Sequence, residues 1–406
     1  MTLSGITPDG STGIPPQTLG AVFGRFLRFG LFAWGGPIAQ IAMIRRELVE
    51  EERWISSEHF NRVLAVYQVL PGPEAHELCV YFGMLARGRP GAVAAGLGFM
   101  LPGFLLMLLA AWLYFTVGFT SALAVAAFAG IQPAVAALIA RGVERIGRHV
   151  LTSPLLVGIA LAAAAGSFAG IPFGFILAAA GAMALPGRWG AARVLVLLSA
   201  LTILLVTVPL ARDAPREGRP EGLRPIGEVE ILGAGLRAGL LTFGGAYTAI
   251  PFIRRDAVVE GGWLREEELL DGVALASVLP APLIIFGTFV GYAGAGVSGA
   301  CLMTLGIFAP AFAFTLVGHA LLERLIAARR LQLLLAGVTA GAVGIIGATA
   351  LVIGAGTTVH PGALLIFVSA LVVLWGIQSR WSAPLVVGLG AVAGMVMHLV
   401  GWGLAR

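Results

Sequence analysis

FGLFAWGGPIAQIAMIRRELVEEERWISSEHFNRVLAVYQVLPGP, residues 29–73, recurs without a gap as AGLLTFGGAYTAIPFIRRDAVVEGGWLREEELLDGVALASVLPAP, residues 238–282. Seventeen of the 45 positions are identical at a constant offset of 209. They pair Gly35 and Gly36 with Gly244 and Gly245, Arg45 and Arg46 with Arg254 and Arg255, and Trp54 with Trp263. Pro71 and Pro73 likewise pair with Pro280 and Pro282. Each copy reads GG, then RR, then W, then LPxP, among apolar segments. A duplicated unit whose helices carry Gly and Pro breaks at matching places is the pattern of a secondary transporter, and the breaks point to the substrate site.

The surrounding sequence supplies a membrane. Hydrophobic residues make up 58% of the chain and charged ones 12%, with a mean hydropathy of +0.93; soluble domains are about 25% charged. Apolar runs at Gly91–Tyr114, Ser121–Ala140, Leu155–Leu185, Val194–Leu210 and Pro361–Ile377 each reach roughly the 17 residues that a transmembrane helix needs. The expected fold class is all-α: a polytopic membrane protein of two homologous helical repeats. The polar tail 1–17, with Pro15 and Pro16, lacks a signal-peptide layout, so membrane delivery falls to the first hydrophobic helix. The repeats are assigned to 18–210 and 227–406, and the charged, proline-containing stretch 211–226 is a solvated linker.

Within a repeat the expected order is a first helix, Leu19–Trp34, broken by Gly35, Gly36 and Pro37, then a charged amphipathic segment, Arg45–Arg62. An apolar helix, Val63–Leu70, follows; it breaks at Pro71-Gly72-Pro73, resumes at Glu74–Leu85, and leads to a long helix containing Pro102. Pro310 is the equivalent of Pro102, at an offset of 208. Beyond about residues 115 and 320 the halves resemble each other only in hydropathy. If the Pro-x-Pro segment crosses the membrane the copies face opposite ways; if it is re-entrant, the parity changes. Inversion is favoured because it yields two interchangeable access states from one fold.

Proline lacks an N–H and disfavours helix at the residue before it, so a helix stops near Leu70 and a new one starts at Pro73. The fresh N-terminus offers unpaired N–H groups and the positive end of a helix dipole, a cradle for an oxyanion. A kink used only for packing is the alternative at either proline pair, and repetition favours function. Gly35, Gly36, Gly244 and Gly245 admit either close helix packing or close approach of a ligand. Glu74, His76 and Glu77 follow Pro73 directly. A carboxylate beside an anion must be protonated while the anion is bound, so Glu74 and His76 form a candidate proton relay, with dipole capping the plainer role for the acids. Leu283, Ile284 and Ile285 replace these residues in the second copy, which restricts any relay to the first half. Glu74→Gln is expected to shift the pH dependence of transport. Gln68 is a further donor candidate.

All the basic residues are arginine; there is no lysine. An anion must therefore be held by guanidinium, amides, hydroxyls or helix dipoles, and Schiff-base chemistry is excluded. Arg25 and Arg28, inside the first helix, are buried candidates; Arg45 and Arg254 are either interfacial anchors or a guanidinium gate. Trp54 and Trp263 are expected at the membrane interface. The net charge of +5 suits anionic lipid rather than nucleic acid, since no basic run is interleaved with stacking aromatics. Cys79 and Cys301 form no CxxC and no metal spacing. No HExxH, aspartate cluster or nucleophile–base spacing marks an intramembrane enzyme, and no cofactor is called for. A structural subunit fits the hydropathy but gives no reason for duplicated breaks. A homodimer is left open.

With GGP (35–37), IRRELVE and a following Trp (44–54), QVLPGPEA (68–75) and FGGAYTAIPFIRRDAV (243–258), the chain resembles the chromate ion transporter (CHR) family, in its long, two-domain form. The resemblance implies export of chromate across the bacterial inner membrane, driven by the membrane potential or proton gradient, with sulfate as the isosteric competitor. Family members often carry Pro-Gly-Pro in the second half, where this chain has Pro280-Ala281-Pro282; that change questions the second half's part in binding.

Overall fold

The computed structural model describes residues 14, 17–68, 70–118, 121–185, 226–243, 245–326, 329–377, 379 and 381–402. The expected linker and the run Val194–Leu210 lie essentially outside them. Among the described residues there is no strand. Five helical stretches are long and apolar enough to cross a membrane: Glu74–Val117, Ala122–Val150, Leu283–Val317, Arg329–Thr357 and Ser382–Leu399. The protein is an all-α, multi-pass membrane protein.

The chain enters through two short hairpins. Helix α1 (Leu19–Leu31), capped by the Thr18 hydroxyl, is about 20 Å long at 1.5 Å per residue, less than the roughly 30 Å of a hydrocarbon core. It ends where Gly35 and Gly36 turn at φ 92° and 75°, and α2 (Gly36–Ile44) runs back. α2 continues as a π-helix, Arg45–Glu51, in which residues five apart share a face. The Arg45–Glu50 and Arg46–Glu51 ion pairs, 3.1 and 2.9 Å, use that spacing. Arg25 pairs with Glu47 and Glu52, and Arg28 with Glu47, tying the mouth of this hairpin shut.

The second hairpin is α3 (Ser57–Tyr67) against the start of α4 (Glu74–Trp112), joined through Pro71–Pro73. His59 Nε2 meets the Tyr81 hydroxyl at 2.8 Å and Phe60 stacks on Phe82, so the two arms run antiparallel. The Pro-x-Pro segment is thus the tip of a hairpin, not a kink within one continuous helix. α4 itself reverses at Arg87–Gly88, where Gly88 takes φ 61°. A continuous helix would hold Gly83 and Gly91 about 12 Å apart; instead a Cβ on Gly83 would fall 2.4 Å from the Gly91 oxygen. Only glycine permits that contact.

Residues 228–326 repeat this order. Helix α8 (Glu228–Leu241) precedes α9 (Ala249–Arg254), a π-helix at Arg255–Glu260, α10 (Glu266–Val278) and α11 (Phe286–Ile326). Arg237 pairs with Asp256 at 2.9 Å, the positions equivalent to Arg28 and Glu47. Gly291 and Gly299 meet across a turn at Gly296, φ 61°. The later helices also match in order: α5 (Ala122–Val150), α6 (Pro154–Phe168) and α7 (Phe173–Ala184), then α12 (Arg329–Thr357), α13 (Pro361–Gly376) and α14 (Ser382–Leu399). They pack reciprocally, α5 on α13 and α14, α12 on α6 and α7. Backbone-close glycines make these seams: Gly130 lies against Gly390 and Gly394, and Gly344 against Ala160.

The long arm of α4 bridges the halves. Gly96 sits under Phe312, while Tyr114 and Phe115 pack on Phe289 at 5.0 and 4.8 Å. Phe289 lies near the Gly296 turn, so the Gly88 and Gly296 turns stand at opposite ends of the bundle.

Several expectations change. The first helix ends at Leu31 rather than Trp34, and the helix before the proline break ends at Tyr67, having absorbed Ser57–Arg62. Leu155–Leu185 is two helices, broken by the turn at Gly170, φ 75°, before Pro172. Trp54 and Trp263 are core residues, 2% and 4% exposed, rather than interfacial anchors. Each indole finds a partner, Glu52 Oε2 at 2.8 Å and the Val290 carbonyl at 3.4 Å, which lets it be buried.

Candidate functional site

The four repeated breaks converge. Pro37 and Gln40 from the first hairpin tip, and Pro73, Glu74 and Ala75 from the second, line one small cavity. Gly245, Ala246 and Pro282, from the equivalent places in the other half, complete it. Unwound backbone at membrane depth survives only where protein or water satisfies it, and here the tips satisfy each other: the Gly72 N–H donates to the Thr242 carbonyl at 2.8 Å.

The first tip exposes amides. Pro73 is extended (φ −80°, ψ 99°) and caps α4. Its carbonyl accepts from His76 and Glu77, at 2.9 and 3.1 Å. The N–H groups of Glu74 and Ala75 have no partner among the described residues. Both residues line the cavity, at the positive end of the α4 dipole. Gln40 is fully buried; its amide nitrogen donates to the Ala33 carbonyl at 2.9 Å, and its oxygen is unpartnered. The space open to a water's centre is about 10 Å³, close to the minimum for one water. A tetrahedral dianion requires the tips to part.

Of the sequence candidates, Pro37, Pro73, Glu74, Gly245 and Pro282 line the cavity. Gly35, Gly36 and Gly72 shape the tips, Gly72 at φ 145°, and Pro71 and Pro280 flank them. Gly244 lies outside the described residues. His76 is behind the tip, its ring 4.8 and 4.9 Å from those of Phe308 and Phe312. Gln68 is exposed and away from the cavity. Arg28 and Arg45 are ion-paired at hairpin mouths, and Arg254 Nε contacts both oxygens of Glu266 at 2.8 and 2.9 Å. Gln40 was not among the candidates; a single amide inside PIAQIAMI, with alanine at its repeat position 249, is the signal that marks it. A wider, open groove of about 510 Å³ beside Arg89 and Val317 is mostly apolar and brings no polar groups together.

Comparison with known proteins agrees with this architecture. The chain is 48% identical to a chromate transport protein of Pseudomonas aeruginosa over 395 residues, 94% of this chain and 93% of the relative. It is 29% identical to a probable chromate transport protein of Synechococcus elongatus, over 94% and 96% of the two chains. A chromate transport protein of Cupriavidus metallidurans is 28% identical, over 95% and 94%. No solved structure matches. The profile described as Chromate transporter matches residues 20–210 and 229–395, one block in each half. The chain belongs to the chromate transporter family.

Proposed function

We propose that the protein exports chromate across the bacterial inner membrane and thereby confers chromate resistance, with sulfate as a competing dianion. The observation that carries this reading is the cavity where all four duplicated breaks meet, with the unpaired Glu74 and Ala75 amides at its edge. The dianion is held by backbone N–H dipoles and the second N–H of the Gln40 side-chain amide in place of ammonium groups. Gly35, Gly36, Gly72 and Gly245 let the backbone approach it. Arg28, Arg45 and Arg254 hold the hairpin mouths. On this reading the halves are an inverted repeat, supported by the opposed Gly88 and Gly296 turns, and the closed cavity is an occluded stage. Parting the Gly72–Thr242 contact toward one face or the other alternates access.

Uptake of labelled chromate into inverted vesicles tests the reading. Accumulation that unlabelled sulfate reduces is expected, with none in right-side-out vesicles under the same gradient. Accumulation confined to right-side-out vesicles would leave an importer; none in either would remove chromate as cargo. A sulfate transporter working in either direction is the second reading, favoured by a cavity that offers only backbone and amide donors to any tetrahedral dianion.

A further inference from the structure

Glu77 has no part in the cavity wall. It is fully buried, one turn along α4 from Glu74, and neither carboxyl oxygen has a partner among the described residues. Its position is specific. A Cβ on Gly72 would fall 2.9 Å from Glu77 Oε1 and 3.6 Å from the Ala311 methyl. The carboxyl therefore rests directly beneath the tip glycine whose N–H bridges to Thr242.

Among the described residues its surroundings supply no counter-charge. Helix α11 presents Phe308, Ala311 and Phe312, and the long arm of α4 presents Phe99 beside the same His76 ring. On α3, His59 and Tyr67 are committed to Tyr81 and Thr315. The arginines of α1 are held by Glu47 and Glu52. Glu74, one turn back along α4, is the neighbouring acid. An unpaired buried carboxylate is costly, so closing the tips over this group requires it to take up a proton, and parting them to water lets it ionise. A dianion entering beside Glu74 and Ala75 adds a second reason. A dianion and a carboxylate one helical turn from the cavity wall repel each other, and the buried surroundings screen that repulsion less than water does.

We propose that Glu77 is the proton-binding site of the transport cycle. It takes up one proton when the dianion binds, and Glu74, at the cavity wall, passes that proton between Glu77 and solvent. The acid–base change is complete in itself: the carboxylate gains a proton from water as the anion enters and returns it as the anion leaves. The second half has Phe286 at this place and Leu283, Ile284 and Ile285 before it, so one tip alone carries the proton. This rests on the proposed anion site.

Titration calorimetry of the purified full-length protein, with sulfate and selenate in two buffers of different ionisation heat, tests it. These anions do not protonate near neutral pH, so any proton taken up belongs to the protein. About one proton per bound dianion is expected, with affinity falling about tenfold per pH unit where Glu77 titrates. Glu77→Gln, nearly isosteric with the protonated acid, is expected to lose the uptake and flatten that slope. Glu77→Asp should keep the uptake. Binding without proton uptake in the wild type, or uptake that survives in Glu77→Gln, overturns the proposal alone. No binding of either anion, or of chromate, overturns the transport reading and this one with it.

Discussion

The two Pro-x-Pro tips are built on one plan yet do different things. In the first, Gly72 takes φ 145°, donates across to Thr242 and leaves room for Glu77 beneath it. In the second, Ala281 has ordinary φ, its N–H stays within the tip on Leu279 O, and Phe286 replaces the acid. The packing compensates for the change. Gly72 faces Ala311 on α11, while Ala281 faces Gly103 on α4, the position equivalent to Ala311. Each crossing holds one methyl, carried by opposite partners. The second tip therefore keeps its fit while giving up backbone freedom, which explains how this chain accommodates alanine there. Asp271, a fully buried acid of the second half, lies elsewhere and accepts from the Tyr114 hydroxyl at 2.7 Å. On the proposed reading the chemistry lies in the first half and the second acts as its counter-surface.

The comparison breaks most readily at the tip glycines. Gly72→Ala adds a methyl 2.9 Å from Glu77 Oε1 at a φ that costs about 1–3 kcal/mol for a side chain. Chromate accumulation in inverted vesicles, normalised to protein in the membrane, should fall tenfold or more. Ala281→Gly, which deletes a methyl that rests on Gly103, should stay within about threefold, since the loss is one methyl's packing. Equal losses at both tips would mean that the halves share the work.

The hairpin turns should instead respond alike. Gly83→Val and Gly291→Val each drive a side chain into a backbone oxygen, 2.4 and 2.3 Å from the first added carbon. Overpacking of this kind costs about 1–3 kcal/mol, so both variants should show lower yield and earlier thermal unfolding in detergent. If only one does, the two reversals are not structurally equivalent.

How much of this the sequence discloses follows from what periodicity records. Helix breaks are written in Gly and Pro, so Pro37, Pro73, Gly245 and Pro282 were identifiable before any coordinates, and all four line the cavity. The reversal at Arg87–Gly88 was not, because Gly83 and Gly91 sit in an apolar run that reads equally well as one long helix. The arginines were misleading for a physical reason. A charge inside an apolar stretch marks function only when its partner is unknown, and Glu47 and Glu52, 19 to 27 residues on, neutralise Arg25 and Arg28. The indoles misled similarly, since amphipathic Trp54 and Trp263 found their polar partners indoors.

Gln40 sharpens the contrast on a smaller scale, because its counterpart is Ala249. Gln40→Ala removes the 2.9 Å bond to the Ala33 carbonyl and one amide from the cavity. The net worth of such a bond is about 1 kcal/mol, or roughly fivefold. A rise of that size in KM for chromate is expected, with the maximal rate less affected. An unchanged KM would leave anion binding to the backbone amides alone.

The smallest effect belongs to the matched ion pairs. Arg28 and Arg237 have side chains 55% and 56% exposed, and their partners Glu47 and Asp256 lie at the same step of each hairpin. Exposed pairs contribute about 0–1 kcal/mol and weaken with salt. Arg28→Met and Arg237→Met should each change transport by less than about fivefold, equally in both halves, and less still at high ionic strength. A larger loss from Arg28→Met alone, in protein of normal thermal stability and with a raised KM for chromate, would show that its guanidinium leaves Glu47 to meet the anion. It would then be part of the first half's chemistry, and the hairpin mouth would be a gate as well as a clasp.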